Sequence, residues 1–478
     1  MLALLVGILG CLGYSDNVMQ ADTVASVDSS KVFTVNRILI IGNKVTKDHI
    51  IQRELTLKPG DTISLKRLGK TLIWDKRKIY NLRLFNTVTV KSYELSSNLI
   101  DLLVEVSERW YIFPVPIFEL SDRNFSEWWQ NYHHDFSRVN YGLSLYKYNF
   151  RGRNETVLLN AQFGFTRRFD VSYRVPYIDK KLKQGLSFNF SYDEPKNIAY
   201  KTVDHKLVYQ SDQNQALRVT FSGSIGYTYR KSFFDSHFIQ VGYRDMSIKP
   251  IIADSNANYF QGDRLQMKYG YINYSFNSEH RDVVQYPLRG YQFYGYIQQT
   301  GLGSNDINFL EGSISFARHW DLKNNYFLSN YSSAFASTPT NIPYAFFSGM
   351  GYRKQFVRGY EVYVIETPFF LLNKTTFKKR IFYKVWNWDG FPLEQFRYFP
   401  FAIYLKTYMD WGYADNYPLY TKEYRDSHGW TINFADKMIG GWGAGLDLVM
   451  LYDTVVRMEY SFTSQGTQGF FLSLKKEF

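Results

Sequence analysis

The chain has 478 residues, with 56 Lys+Arg against 44 Asp+Glu for a net charge of +12, and 19% of it is Tyr, Phe or Trp. A mean hydropathy of −0.32 with only 21% charged residues at that aromatic content excludes disorder, a coiled coil and collagen. One Cys excludes a disulfide scaffold and any cysteine-based zinc cluster. Beyond the N-terminus no stretch reaches the ~18 apolar residues of a spanning helix, so any membrane crossing is made by strands. The basic residues are spread along the chain and alternate with aromatics. Nucleic acid as a partner would need them gathered on one patch, so the charge is read as a basic barrel interior or contact with anionic lipid.

Residues 1–26 read as an export signal, with the apolar run Leu2 to Gly10 followed by small and polar residues. Ile8-Leu9-Gly10-Cys11 resembles a lipoprotein cleavage box in which Cys11 is lipidated. Cleavage after Ala21 or Ala25, discarding Cys11, is the alternative, and both imply export.

Residues 32–108 have a mixed pattern. Phe33 to Ile41 is a predicted strand ended by Gly42-Asn43. Thr46 is placed to cap a helix carrying Ile50, Ile51 and Leu55, which Lys58-Pro59-Gly60-Asp61 breaks. A second helix presents Leu65, Leu68, Leu72, Ile73 and Ile79, and strands over Phe85–Tyr93 and Leu99–Val106 close a β-α-α-β-β unit. Its three-stranded sheet keeps an edge that can accept an extended peptide. Ile41-Gly42-Asn43, Leu57 to Asp61, Asn81 to Phe85 and Val104 to Arg109 resemble the landmarks of a polypeptide-transport-associated (POTRA) domain. That resemblance implies a periplasmic module that handles unfolded outer-membrane proteins.

Residues 109–478 alternate with period two. Val157, Leu159, Ala161, Phe163 and Phe165 share one face, and Leu186 to Asp193 repeats the pattern. So do Leu265, Met267, Tyr269 and Tyr271 against Arg264, Gln266 and Lys268, and Val456, Met458, Tyr460 and Phe462 against Arg457, Glu459 and Ser461. Segments of about ten residues with aromatics near their ends fit tilted transmembrane strands. A closed barrel satisfies every backbone group in lipid. At roughly 23 residues per strand and connection, the region holds ~16 strands, and the expected fold class is mainly β, a transmembrane β-barrel behind one POTRA domain.

Several barrel segments resemble the BamA/TamA-type outer-membrane assembly superfamily, also called the bacterial surface antigen family. They are Asn149 to Asn154, Tyr173 to Asp179, Asp282 with Tyr286-Pro287-Leu288-Arg289-Gly290, and, most specific, Phe356-Val357-Arg358-Gly359-Tyr360. The resemblance makes Val357, Arg358, Gly359 and Tyr360 the signature of an extracellular loop folded into the lumen, and implies Asp410 on a late strand as the partner of Arg358. A guanidinium fork suits a carboxylate in a poorly solvated lumen.

The first barrel strand, Trp110 to Leu120, contains Pro114 and Pro116, each lacking a ladder donor. The seam with the last strand, which carries Leu472, Leu474 and Phe478, is then short of hydrogen bonds; the alternative puts both prolines in a periplasmic linker. The resemblance implies that this seam is a lateral gate templating client strands. It implies unfolded outer-membrane proteins as clients, outer-membrane lipids and accessory lipoproteins as partners, and the bacterial outer membrane as location.

No H-E-x-x-H, G-x-S-x-G or Walker loop is present, so no enzyme, cofactor or metal is expected. Gly440 to Gly445 reads as a strand closely approached by a lumen loop, and His133-His134-Asp135 as side chains on opposite faces. The leading expectation is an assembly and insertion factor. Alternatives are a secretion channel for one exoprotein and a passive pore. The single module implies an accessory or lineage-specific member, since the best-known assembly factor carries several.

Overall fold

The computed structural model describes residues 31–475 apart from 121–138, 263, 305, 348, 353–354 and 389. Cys11, His133-His134-Asp135 and Phe478 lie outside the described residues.

The N-terminal module runs β1 (Val32–Ile41), α1 (Asp48–Gln52), β2 (Thr62–Ser64), α2 (Leu65–Tyr80), β3 (Phe85–Ser96) and β4 (Leu99–Glu108), with sheet order β2-β1-β4-β3. The expected three strands become four. At the Lys58–Asp61 break Gly60 adopts φ +90° and donates its N–H to the Val35 carbonyl at 2.8 Å, which returns the chain alongside β1. The free edges are therefore β2 and β3. Both helices pack on one face: Ile50, Ile51, Leu68 and Ile79 are buried, whereas Ile73 faces outward at 54% exposure. Thr46 does not cap α1. Its hydroxyl donates to Glu108 at 2.6 Å and accepts from Asn149 of the barrel at 2.8 Å, so the polar partner of a tertiary contact outcompetes the local cap.

The remaining strands are β5 (Ile112–Leu120), β6 (Val139–Phe150), β7 (Glu155–Gly164), β8 (Thr166–Val175), β9 (Gln184–Pro195), β10 (Asn197–Val203), β11 (Lys206–Ser211), β12 (Arg218–Arg230), β13 (Asp235–Ile248), β14 (Gln266–Glu279), β15 (Gly290–Leu302) and β16 (Phe309–Lys323). They continue as β17 (Tyr326–Thr338), β18 (Phe369–Asn387), β19 (Tyr398–Ala414), β20 (Met438–Val449), β21 (Val455–Thr463) and β22 (Gln468–Lys475). All but β10 and β11 form one 16-stranded antiparallel sheet in chain order, curled into a barrel. Phe188 and Phe190 of β9 are exposed on its outside, while Asn189 and Ser191 face in and hydrogen-bond their neighbours.

One alternating segment faces the other way. Met267 and Tyr269 of β14 are buried inside, in a cluster with Ile248, Phe260, Phe309 and Tyr344, and Gln266 and Lys268 face out. This stretch is at the end of the barrel away from the N-terminal module, where a dry roof of loops lies inside the wall, so the polarity of the two faces inverts. Phe165 likewise leaves the outward row of β7: Gly164 turns the chain at φ +102°, and Phe165 is buried. The β10–β11 hairpin is part of the roof. Its tip residue Asp204 accepts from the backbone N–H of Ile432 at 2.9 Å, and His205 accepts at Nε2 from the Phe434 N–H at 2.9 Å.

One mouth of the barrel is covered by the N-terminal module. Glu54, fully buried, receives both arms of Arg230 at 2.7 and 3.0 Å from the end of β12. Arg53 lies over the Tyr177 ring at 4.3 Å, and Asn86 donates to Gln395 at 2.7 Å. Gly152 comes so close to Val45 that a Cβ would sit 2.2 Å from the Val45 oxygen.

Candidate functional site

Between β17 and β18 the chain re-enters the barrel as a finger tipped by Arg358, and the structure brings Arg358 and Asp410 together. Arg358 Nε donates to Asp410 Oδ2 at 2.8 Å, Nη2 to Oδ1 at 2.6 Å, and the Arg358 backbone N–H adds a third bond to Oδ2 at 3.1 Å. The guanidinium lies 3.9 Å over the Tyr408 ring and donates to Thr376 Oγ1 at 2.9 Å. Asp410 is fully buried. Val357 is packed with Met350, Phe370 and Ile439, and the Tyr360 hydroxyl meets Ser464 Oγ at 3.1 Å.

Two glycines make room for this. Gly359 turns at φ +96°. Gly441 on β20 faces the finger, and a Cβ there would sit 1.9 Å from the Arg358 carbonyl oxygen. Within the run Gly440 to Gly445 it is Gly441 that makes room for the loop, whereas Gly443 and Gly445 lie against β21.

Sequence reasoning missed the rest of the cluster. Lys406 bridges Asp447 at 2.5 Å and Glu459 at 2.8 Å, Glu459 lies 3.5 Å from Arg358, and Arg457 lies 3.9 Å from Asp447. Tyr286, from the Tyr-Pro-Leu-Arg-Gly turn, donates to Asp447 at 2.8 Å. Three bases pair with three acids, which limits the cost of holding them away from bulk water, and Lys378 stands beside them over the Tyr286 ring at 4.2 Å. The available signal was spacing: Lys406, Tyr408 and Asp410 fall on alternate positions of one strand, as do Arg457 and Glu459 of another, all facing inward.

At the seam, Pro114 and Pro116 lie within β5, opposite Leu145 and Leu143 of β6, and not in a linker. The Tyr111 carbonyl accepts from the Tyr148 N–H at 2.8 Å. Odd-numbered residues of β5 therefore turn their backbone groups to β6, and the prolines turn their missing donors to the free edge. On β22, Phe470 and Leu472 project outward at 63% and 67% exposure, and Leu474 pairs with Val456. Among the described residues no ladder joins β5 to β22.

Residues 33–109 match the POTRA family model, described as surface antigen variable number repeat. A chain of Treponema pallidum (strain Nichols), provisionally named an outer membrane protein assembly factor, is 33% identical over 109 residues, which is 20% of this chain and 12% of that relative. Among solved structures, BamA from Haemophilus ducreyi lacking POTRA domains 1–3 superposes with TM-score 0.50 at 13% identity, covering 93% of this chain and 82% of that one. CdiB from Escherichia coli superposes with TM-score 0.53 at 10% identity, covering 92% and 75%. At these identities the two structures report the fold. Residues 33–109 are thus a POTRA domain, and the chain as a whole shares the fold of these two structures, one POTRA domain leading directly into a 16-stranded barrel, while spanning only a small part of the curated relative it matches.

Proposed function

We propose that the chain inserts β-barrel clients into the outer membrane by pairing their strands at the β5–β22 seam. The observation that carries this reading is that, among the described residues, the two end strands of the sheet have no ladder between them, and one of them has two prolines in place of donors. An unpaired edge in lipid costs several kcal/mol per exposed group and templates an incoming strand. The Arg358 clasp ties the finger to the strands next to the seam, which keeps β19–β21 in register while β22 is disengaged. A passive pore fits less well, because the roof and the POTRA domain cover the two ends of the lumen.

A disulfide between a cysteine in β5 and one in β22, in a chain with Cys11 replaced, tests this. Insertion of a client barrel into vesicles should stop on oxidation and return on reduction. Full insertion with the seam locked sinks the proposal. The likeness to CdiB favours a second reading, export of one dedicated protein through the lumen. Depletion separates the two: loss of many outer-membrane barrels supports insertion, and loss of a single surface protein supports export.

A further inference from the structure

The β18–β19 hairpin is longer than its neighbours. β17 last pairs with β18 at Lys379, and β20 last pairs with β19 at Ala402. Residues 384–387 and 398–401 therefore pair only with each other and project beyond the rim, by about 13 Å. A barrel turn on this side is ordinarily short. This one carries exposed apolar groups, with Ile381 at 52%, Tyr383 at 55% and Trp388 at 52% exposure.

The tip lies beside the start of β5. Between it, the turn after β20 and the outer face of β5 runs a groove of about 560 Å³, lined by Trp388, Phe391, Phe396, Met450, Pro114 and Pro116. The groove is apolar, and two basic residues of the hairpin contact residues that line it or pack on its lining. Lys384 lies over Trp386 at 5.5 Å, and Arg397 donates to the Phe391 carbonyl at 2.9 Å, neither with an ion pair among the described residues. Glu394 is held by Lys44 of the POTRA domain at 2.8 Å.

We infer that this hairpin is a foot in the periplasmic leaflet that seats an anionic phospholipid, its acyl chain in the groove beside the first strand and its phosphate at Lys384 and Arg397. The depth matches: aromatic rings at the rim of a barrel sit at the headgroup level. The charge matches too, since cations at the surface gather anionic lipid. Lipid held there lies at the periplasmic end of the seam. The inference needs the barrel in the membrane and not the insertion role, so its failure leaves that role untouched.

The test uses the full chain in phosphatidylcholine vesicles containing phosphatidylglycerol with brominated acyl chains. The difference in fluorescence between the native chain and Trp388→Phe isolates the Trp388 emission. Brominated phosphatidylglycerol should quench it at about a tenth of the mole fraction that brominated phosphatidylcholine requires. The preference should vanish in Lys384→Gln/Arg397→Gln, and in the native chain in 1 M salt, which gives the same reading without a variant. Equal quenching by the two lipids overturns the inference. So does quenching by aqueous iodide alone, or protection from iodide by an unfolded client and not by lipid, which would assign the groove to polypeptide.

Discussion

Two arcs of the inner wall solve the same problem differently. Along β6–β14 the lumen face is a ladder of mainly neutral side chains: Ser144 donates to Asn160 at 2.7 Å, Ser172 to Asn189 at 2.7 Å, and Asn273 to Gln240 at 2.9 Å, each across one strand boundary, with Asp170 as a charged rung that accepts from Asn160 and Ser191. Along β18–β21 the face is charged, and its groups are completed by the finger arriving from far away in sequence. The neutral arc satisfies itself strand by strand. In the charged arc, removal of one member leaves others buried without a partner, which makes the finger the more sensitive element.

The sharpest way to break this contrast is Arg358→Ala. It strands Asp410 and should cost about 3–5 kcal/mol, read as a lower denaturant midpoint and protease cleavage of the finger. Unchanged stability would mean that the finger is held by its apolar packing alone.

The root of the finger gives the next largest effect. Glu366 is buried in the roof, with the Thr202 and Tyr352 hydroxyls on one oxygen and the Tyr420 hydroxyl beside the carboxylate. Burial pushes its carboxyl from 4.5 up to about 7, so the folded roof keeps a proton that the unfolded chain releases. Its contribution is full below about pH 4.5 and is lost as pH rises through 7, by about 3 kcal/mol. Hydrogen exchange in the roof should accelerate over that window, and Glu366→Gln should flatten the dependence.

Gly441→Ala, which drives a methyl into the Arg358 carbonyl, should cost about 1–3 kcal/mol by displacing the finger. In the neutral arc, Asn189→Ala should cost only about 1 kcal/mol, without a change in protease sensitivity of the finger. A larger loss there would erase the distinction between the arcs.

The alternation of the barrel was legible because a strand puts every second residue on one face, and Arg358–Asp410 because a short signature points at it. The inversion at Met267 and Tyr269 was not legible, since the same pattern describes a wall above the bilayer and one within it. The short strand β2 was hidden by its length, three residues that follow a turn. Lys406, Asp447 and Glu459 were visible as charges but not as a cluster. They stand on three strands, and only the register of β19 to β21 brings them level.

Glu54 ends up fully enclosed, with Arg53 of its own module at 2.6 Å and both arms of Arg230 arriving from the barrel. Excised, the N-terminal module would carry that carboxylate with half its counter-charge gone and the ring of Tyr177 lifted off Arg53. It should therefore melt earlier alone than in the intact chain, and the barrel, by completing it, serves as the last step in the module's own folding.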